Sequence, residues 1–506
     1  MSGLAAGIGD VDEGQVQQMI DRMGHRGPDR SGVFKRPGVA LAQNYLRADI
    51  GPDYRDAAVP AVDTEGEPLG IAYDGEIGNR LALCRTFGVD AGPLEEERLL
   101  LKMLRAEGRQ ALGRLKDAVF AFVIAGSGEF VAARDLLGIK TLFYGKKNGA
   151  LFFASELKGI LAVTDDVHEF PAGHVMDETG ALIAFAALPD KAPERWETHE
   201  DRAVGEVRRI IEDSFQRRVD FSFDTGSLLS GGIDSSVVAM LGSRETKRRF
   251  GQAARIKTFA LGMGKSEDIV AARKVAEAID AEHHEMIVDL EEALAVIPEV
   301  VYHLESFDPS LVRSAVSNYL ISRYARQHGV EVLLSGEGGD EVFCGYLYLK
   351  EKPAEALFAG QVECLKLLHN NAALRLDRMN RCNGVRVVTP LISGELLDYA
   401  LGLAPALKQK PEAGGKTEKW VFRKAFENDL PGEVVWRLKQ EFSQGSGSAA
   451  LLPAHFESVV SDEELAAAQR IHSIVRSKEE LAYFRIFTEN FGDGPAVATV
   501  GQWVSL

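Results

Sequence analysis

Ser230-Gly231-Gly232-Ile233-Asp234-Ser235-Ser236 sits between two apolar runs, Gly226-Ser227-Leu228-Leu229 before it and Val237-Val238-Ala239-Met240 after it. An apolar run, a Ser/Gly turn and a renewed apolar run predict a strand, a loop and the start of a helix. A loop at that place offers several free backbone N–H groups, and the helix dipole adds partial positive charge. Small side chains let a phosphate approach closely. Asp234 suits a magnesium ion held against phosphate oxygens, because magnesium prefers carboxylate and phosphate ligands. A Gly/Ser turn with an aspartate helix cap would use the same residue types. Seven matching positions in a row favour the phosphate reading over that one.

Working outward, Ile256 to Gly262 and Val330 to Gly336 predict strands, each ending in a Gly-bearing loop, while Asp268 to Ile279 and Ala315 to His328 predict helices. This alternation predicts a doubly wound α/β sheet with its ligand at the carboxyl ends of the strands. The second strand-end loop, Ser335-Gly336-Glu337-Gly338-Gly339-Asp340-Glu341, brings small residues and three carboxylates. Alone it reads as an acidic, solvated loop. Beside the first loop, Asp340 becomes a second magnesium carboxylate to set against Asp234. SGGxDS is the pyrophosphate-loop signature, associated with cleavage of ATP to AMP and pyrophosphate, and no Gly-Lys-Ser/Thr of the kinase-type P-loop accompanies it.

The 506 residues allow two to four domains. Hydrophobic content of 45% and charged content of 26% are those of an ordinary globular protein. The net charge of −17 argues against a nucleic-acid-binding surface. No run approaches the roughly 18 apolar residues of a membrane span. Met1-Ser2-Gly3-Leu4-Ala5-Ala6-Gly7 has no basic n-region, so no secretory signal is expected. Cys84, Cys344, Cys364 and Cys382 show no metal-type pairing and suggest reduced thiols in a cytoplasmic protein. The Pro- and charge-rich Ala187 to Arg195 reads as a linker. It predicts domains over 1–190 and 203–506. Short apolar runs before it, such as Ala118 to Ile124 and Leu151 to Ala154, predict a β-rich domain of stacked sheets.

These residues resemble the asparagine synthetase family over nearly the whole chain. The second half carries it in Leu229 to Ser236, Ala271 to Ala276, Glu282 to Glu285, Tyr302 to Asp308, Ser335 to Phe343 and Trp436 to Ser443. The first half resembles that family's class II glutamine amidotransferase domain in His25 to Asp29, Asp74 to Ile77, Arg134 to Lys140 and Ala154 to Lys158. The resemblance implies an N-terminal αββα sandwich of the Ntn type and a C-terminal parallel sheet of the pyrophosphate-loop, adenine nucleotide α hydrolase-like type with extra helices.

It also implies a two-step reaction. A carboxylate, of aspartate or an analogue, attacks the α-phosphate of ATP; ammonia or an amine then displaces AMP. Metals and cations crowd such sites because anion must meet anion. By resemblance, Lys439 lies near the phosphates and stabilises pyrophosphate as it forms. Leu228, Leu261 and Gly336 hold adenosine through their backbones, and Ser335 lines the same pocket. Ser230, Gly231, Gly232, Asp234, Ser235 and Ser236 form the nucleotide loop, with magnesium on Asp234 and Asp340. Arg313 is suited to grip a substrate carboxylate bidentately. Glu337 handles the proton of the incoming amine. The resemblance is compatible with a homodimer.

The amidotransferase half departs from the pattern as a set. A working domain carries Cys after the initiator Met, and here that residue is Ser2, a much weaker nucleophile even when activated by an adjacent amine. A His-Glu-Arg-Leu run becomes Gln43-Asn44-Tyr45-Leu46, and an Asn-Gly oxyanion pair becomes Asp74-Gly75. A carboxylate there repels developing negative charge. The aspartate that takes the glutamine ammonium falls among Glu95-Glu96-Glu97. Ser2, Arg26, Asp74 and Gly75 are therefore read as a degenerate glutaminase site. In the synthetase half, a Gly-Val-Glu-Ala-Arg-Val-Pro-Phe-Leu-Asp run is replaced by Gly384 to Ser393, and two threonines before Arg313 by Ser310 and Leu311. Such changes point to a carboxylate other than free aspartate or to packing differences with no effect on substrate.

Three readings follow. The first is an ATP-dependent amide-forming ligase that uses ammonia or an amine without glutamine hydrolysis. The second is a cyclising enzyme like the β-lactam synthetases, which Glu337 disfavours because that family carries tyrosine there. The third is a non-catalytic regulatory relative, disfavoured by the retained loops.

Overall fold

The computed structural model describes residues 2–263, 266–412, 415–438 and 448–503. They divide into two compact units, one formed by Met1–Leu188 with Phe491–Val500 and the other by Pro189–Asn490 with Gly501–Leu506. The return of Phe491–Val500 to the first unit interrupts the expected 203–506 range, and no composition shift in the sequence marks it.

The first unit is built on two antiparallel six-stranded sheets. One runs in the order His168–Glu169, Phe143–Lys147, Ala150–Ala154, Gly3–Ile8, Val39–Tyr45, Arg30–Arg36. The other runs Leu182–Ala184, His174–Asp177, Glu129–Arg134, Ala118–Gly126, Leu69–Ile77, Ala61–Asp63. Period-two alternation assigns the two faces of the second sheet. Ala121, Val123 and Ala125 join Leu4, Ala6, Leu41 and Phe153 of the first sheet in the core between them. Phe120, Phe122 and Ile124 turn the other way, onto Leu99, Leu100 and Met103 of the helix Glu95–Glu107. Both faces of the Ala118–Gly126 strand are thus buried, which explains its unbroken apolar run.

The second unit centres on a five-stranded, all-parallel sheet ordered Glu282–Val288, Lys257–Met263, Thr225–Leu228, Val332–Leu334, Arg386–Val388. In chain order this is 3-2-1-4-5. The strand order reverses between Thr225–Leu228 and Val332–Leu334, and a crevice for a ligand opens at the carboxyl ends of such a pair. The helices Ile233–Phe250, Glu267–Ala278 and Pro309–Gln327 supply the crossovers. Pro309 occupies the first turn of its helix and Asp308 caps it by accepting from Leu311 N at 3.0 Å, so this helix starts several residues earlier than apolar periodicity alone predicts. No helix among the described residues is long and apolar enough to cross a membrane.

Candidate active site

At the strand-order reversal, the loop after Thr225–Leu228 enters the helix Ile233–Phe250 through Gly232, an extended N-cap with no side chain of its own to fill the helix end. Ser235 Oγ closes the turn, accepting from Ser230 N at 3.1 Å and donating to Gly232 O at 3.2 Å. Leu228, Ser230, Gly232, Asp234 and Ser235 line one wall of a cavity. Leu261 enters from the neighbouring strand end, and Ser335, Gly336, Glu337 and Asp340 form the facing wall. The two loops touch backbone to backbone. A Cβ on Gly336 would come within 2.5 Å of the Asp234 carbonyl carbon and of Ser235 N, so only glycine permits this approach.

Two expected loop residues do not reach the cavity. Gly231, at φ +73°, packs on the Glu267–Ala278 helix, where a Cβ would lie 2.4 Å from Ala271 Cβ. Ser236 is fully buried and its hydroxyl donates to Gly232 O at 2.7 Å. Both shape the loop rather than face a ligand.

Asp234 and Asp340 come together on one cation that sequence reading missed. Lys419 Nζ contacts Asp234 Oδ2 and lies 2.7 Å from Asp340 Oδ1, with its side chain only 1% exposed. Lys419 also holds φ +55°, a left-handed conformation that costs a non-glycine residue about 1 kcal/mol. Strain of this kind persists where the surroundings fix a residue for a task. Nothing in the spacing of Glu418-Lys419-Trp420 signals it, since the contact spans 185 residues.

Glu337 lies across the cavity. Its Oε2 accepts from Arg375 Nη2 at 2.7 Å, and Arg375 Nη1 donates to Asn318 Oδ1 at 3.4 Å. Arg437, from the quoted Trp436 run, donates to Asp268 Oδ1 at 2.8 Å and to Ser230 O at 3.3 Å, joining the loop to the Glu267–Ala278 helix.

Arg313 does not line this cavity. Its guanidinium forms a fork with Glu479, Nε to Oε1 at 3.0 Å and Nη2 to Oε2 at 2.8 Å, and Tyr483 donates to the same carboxylate at 2.9 Å. The bidentate grip expected for a substrate is thus taken by a carboxylate of the helix Lys478–Phe491. The sequence could not show this partner, 166 residues away. Lys439 lies outside the described residues.

In the first unit, Ser2 is buried in a polar network. Its hydroxyl donates to Tyr73 O at 2.5 Å and accepts from Gln43 Nε2 at 2.6 Å. Arg26, 0% exposed, donates to Ser2 O, Asp74 Oδ2 and Glu156 Oε1, each at 2.9 Å. Asp74 also accepts from Ser2 N at 3.1 Å. Gly75 lies in the Leu69–Ile77 strand, where a Cβ would come 2.6 Å from Val119 O. Beside this network, Tyr45 and Tyr73 donate to Glu97 and Glu96 at 2.7 and 2.6 Å.

Burial is the main cause that lifts the Glu97 carboxyl from an ordinary 4.5 to about 7, outweighing the Tyr45 hydrogen bond. The folded chain therefore holds this proton more tightly than the unfolded one. The resulting stability is fully present below about 4.5 and is lost as pH rises through about 7. Glu97→Gln should flatten this part of the profile, giving a smaller difference in urea midpoint between pH 5 and pH 8 than the parent; an unchanged difference would refute the assignment.

The Asparagine synthase family model matches residues 206–363 and 359–485, and a Glutamine amidotransferase domain model matches residues 1–181. A probable glutamine-hydrolyzing asparagine synthetase of Schizosaccharomyces pombe is 32% identical, over 95% of this chain and 90% of its own length. The chain belongs to the asparagine synthase family. Glutamine-hydrolyzing asparagine synthetases of Saccharomyces cerevisiae, 31% identical over 96% of this chain and 92% of their own, and Escherichia coli, 32% over 93% and 86%, resemble it similarly. The asparagine synthase match falls in the unit that holds the Asp234, Asp340 and Lys419 cluster.

Proposed function

We propose that this chain is an ATP-dependent amide-forming ligase. The gathering of Asp234 and Asp340 around Lys419, beside the Ser230–Ser235 loop at the strand-order reversal, is the observation that carries this reading. The loop amides and the helix N-terminus receive phosphate oxygens. Lys419 offsets the charge that repels a carboxylate from the triphosphate. A carboxylate oxygen attacks the α-phosphorus, and its bond to the bridging oxygen breaks to release pyrophosphate. The amine nitrogen then attacks the acyl carbon, loses a proton, and AMP departs with the oxygen. Glu337, at the cavity wall, is placed to take that proton, and Arg375 fixes its carboxylate.

Two carboxylates from separate loops, converging on one buried ammonium, form a donor set of the kind a magnesium–triphosphate pair requires. Asp234 and Asp340 would hold the magnesium, which supplies charge neutralisation at the phosphates when bound. Formation of AMP from ATP that depends on an added carboxylate tests the reading; ATP consumption yielding only ADP would overturn it.

The nitrogen source is ammonia or an amine rather than glutamine. Ser2 offers a hydroxyl already hydrogen-bonded to Tyr73 O and Gln43, and Asp74 places a carboxylate where an oxyanion would need a donor. Purified protein should release no glutamate from glutamine above buffer. Ser2→Cys should not restore the release, because Asp74 and Tyr45 remain. Turnover by either protein would refute this part of the proposal.

A further inference from the structure

The chain returns to the second unit at Gly501, and groups far away in sequence hold the three residues that follow. Trp503 N donates to Asp308 Oδ2 at 2.9 Å, and Trp503 O accepts from Arg476 Nη1 at 2.9 Å. Arg476 Nη2 donates to the same Asp308 oxygen at 2.8 Å, so one ion pair grips the Trp503 main chain at both its N–H and its carbonyl. Gln502 Nε2 donates to Ile474 O at 3.0 Å. Gly501 lies so close to Asn370 that a Cβ would stand 2.8 Å from the Asn370 Cβ. The hydrogen bonds to Trp503 use its main chain, which leaves its ring for another partner.

That partner is Tyr346. The two ring centroids are 5.9 Å apart, Tyr346 also stacks on Tyr348 at 5.7 Å, and the Tyr346 hydroxyl donates to Glu341 Oε1 at 2.6 Å. The preceding residue gives this contact its consequence. Gly345 follows Cys344, which holds φ +56°, and Gly345 N donates to Asp340 O at 2.8 Å. A Cβ on Gly345 would collide with both Lys419 Cε and Asp340 Oδ1, so only glycine permits this approach. The Gly345 main chain is therefore the wall against which the contact between Lys419 and Asp340 is set. Tyr346, tied at its hydroxyl and packed between aromatic neighbours, holds that wall in place.

We infer that Trp503 is a positioning residue, whose ring, seated on Tyr346, keeps the Gly345 turn against Lys419 and Asp340. Trp503 touches no reacting group itself. Its effect runs through a cluster in which a misplacement of about 1 Å costs on the order of a hundredfold in rate. The inference rests on the ligase reading for what Lys419 and Asp340 do, and nucleotide binding separates the two.

The test measures dissociation constants of a non-hydrolysable ATP analogue, by calorimetry on the full chain, with and without magnesium, and follows thermal unfolding of the same proteins. Trp503→Ala keeps the main-chain hydrogen bonds and should cut the gain in affinity that magnesium confers by about tenfold, with an unfolding midpoint close to that of the parent. Trp503→Phe retains a ring on Tyr346 and should recover most of the gain. Tyr346→Phe frees the turn from Glu341 and should also reduce it, and the double variant Trp503→Ala, Tyr346→Phe should be little worse than the weaker single one, because both changes act on one turn. Pyrophosphate release with aspartate and ammonium should fall in the same order. An unchanged magnesium gain in Trp503→Ala, a loss that Trp503→Phe fails to recover, a loss that tracks a lower unfolding midpoint, or effects that multiply in the double variant would overturn the inference. A parent that binds the magnesium complex of the analogue yet forms no AMP with any added acid would overturn the ligase reading instead, and the binding results would still decide the role of Trp503.

Discussion

Lys419→Met is expected to lower pyrophosphate release from ATP by about a thousandfold or more, the scale seen when a preorganised charge is removed from a transition state. The variant leaves Asp234 and Asp340 facing each other without the ammonium that Lys419 Nζ supplies to both. Asp234→Asn should produce a loss of the same order, because the same cluster fails. The double variant should be little worse than either single one, since groups that act as a unit give strongly non-additive effects. Steady-state pyrophosphate release with saturating carboxylate and amine reads all three proteins. Near-full activity in Lys419→Met, or multiplying effects in the double variant, would show that the lysine stands outside the reaction.

Arg26→Met should be the most damaging change in the first unit. Its guanidinium is fully buried and holds Asp74, Glu156 and the Ser2 carbonyl at once. Removing one partner from a buried ion cluster leaves uncompensated charge, at a cost of about 3 to 5 kcal/mol. Lys158, 2.5 Å from Glu156, and His25, 3.1 Å from it, relieve that carboxylate, and Lys140 Nζ, 3.9 Å from Asp74 Oδ1, offsets the other more weakly. Arg26→Met should therefore lower the unfolding midpoint of the first unit by many degrees. Arg26→Lys should rescue it only in part, since a single ammonium cannot reach three acceptors in a planar fork. A midpoint unchanged in Arg26→Met would mean that the cluster contributes little to the native state.

The two loops that line the cavity were legible because their information is local. Strand, small-residue turn and helix follow within a dozen residues around Ser230, and the strand order then places both loops at one crevice. The apolar runs of the first unit were legible as strands for the same reason. What the sequence hid was contact at long range. Lys419 reads as an ordinary cation until the chain brings it, 185 residues from Asp234, under both carboxylates. Arg313 shows the same limit: the resemblance implied a substrate grip, and only the fold supplies Glu479 as its partner. Asn318 was hidden because one more polar residue in a helix that already carries Ser and Arg makes no pattern, and that its Nδ2 has no partner among the described residues appears only when its surroundings are known. Gly231 and Ser236 belonged to the right motif, but motif membership does not say which side of a turn a residue faces.

Transfer of label from ammonium into the amide product tests the central claim most directly. The full chain is given ATP, magnesium, aspartate or a related small carboxylic acid, isotope-labelled ammonium and an excess of unlabelled glutamine. The account predicts that the amide nitrogen carries the ammonium label undiluted, with one AMP and one pyrophosphate formed per amide. Unlabelled amide nitrogen drawn from glutamine would contradict it, as would a chain that makes no amide and no AMP.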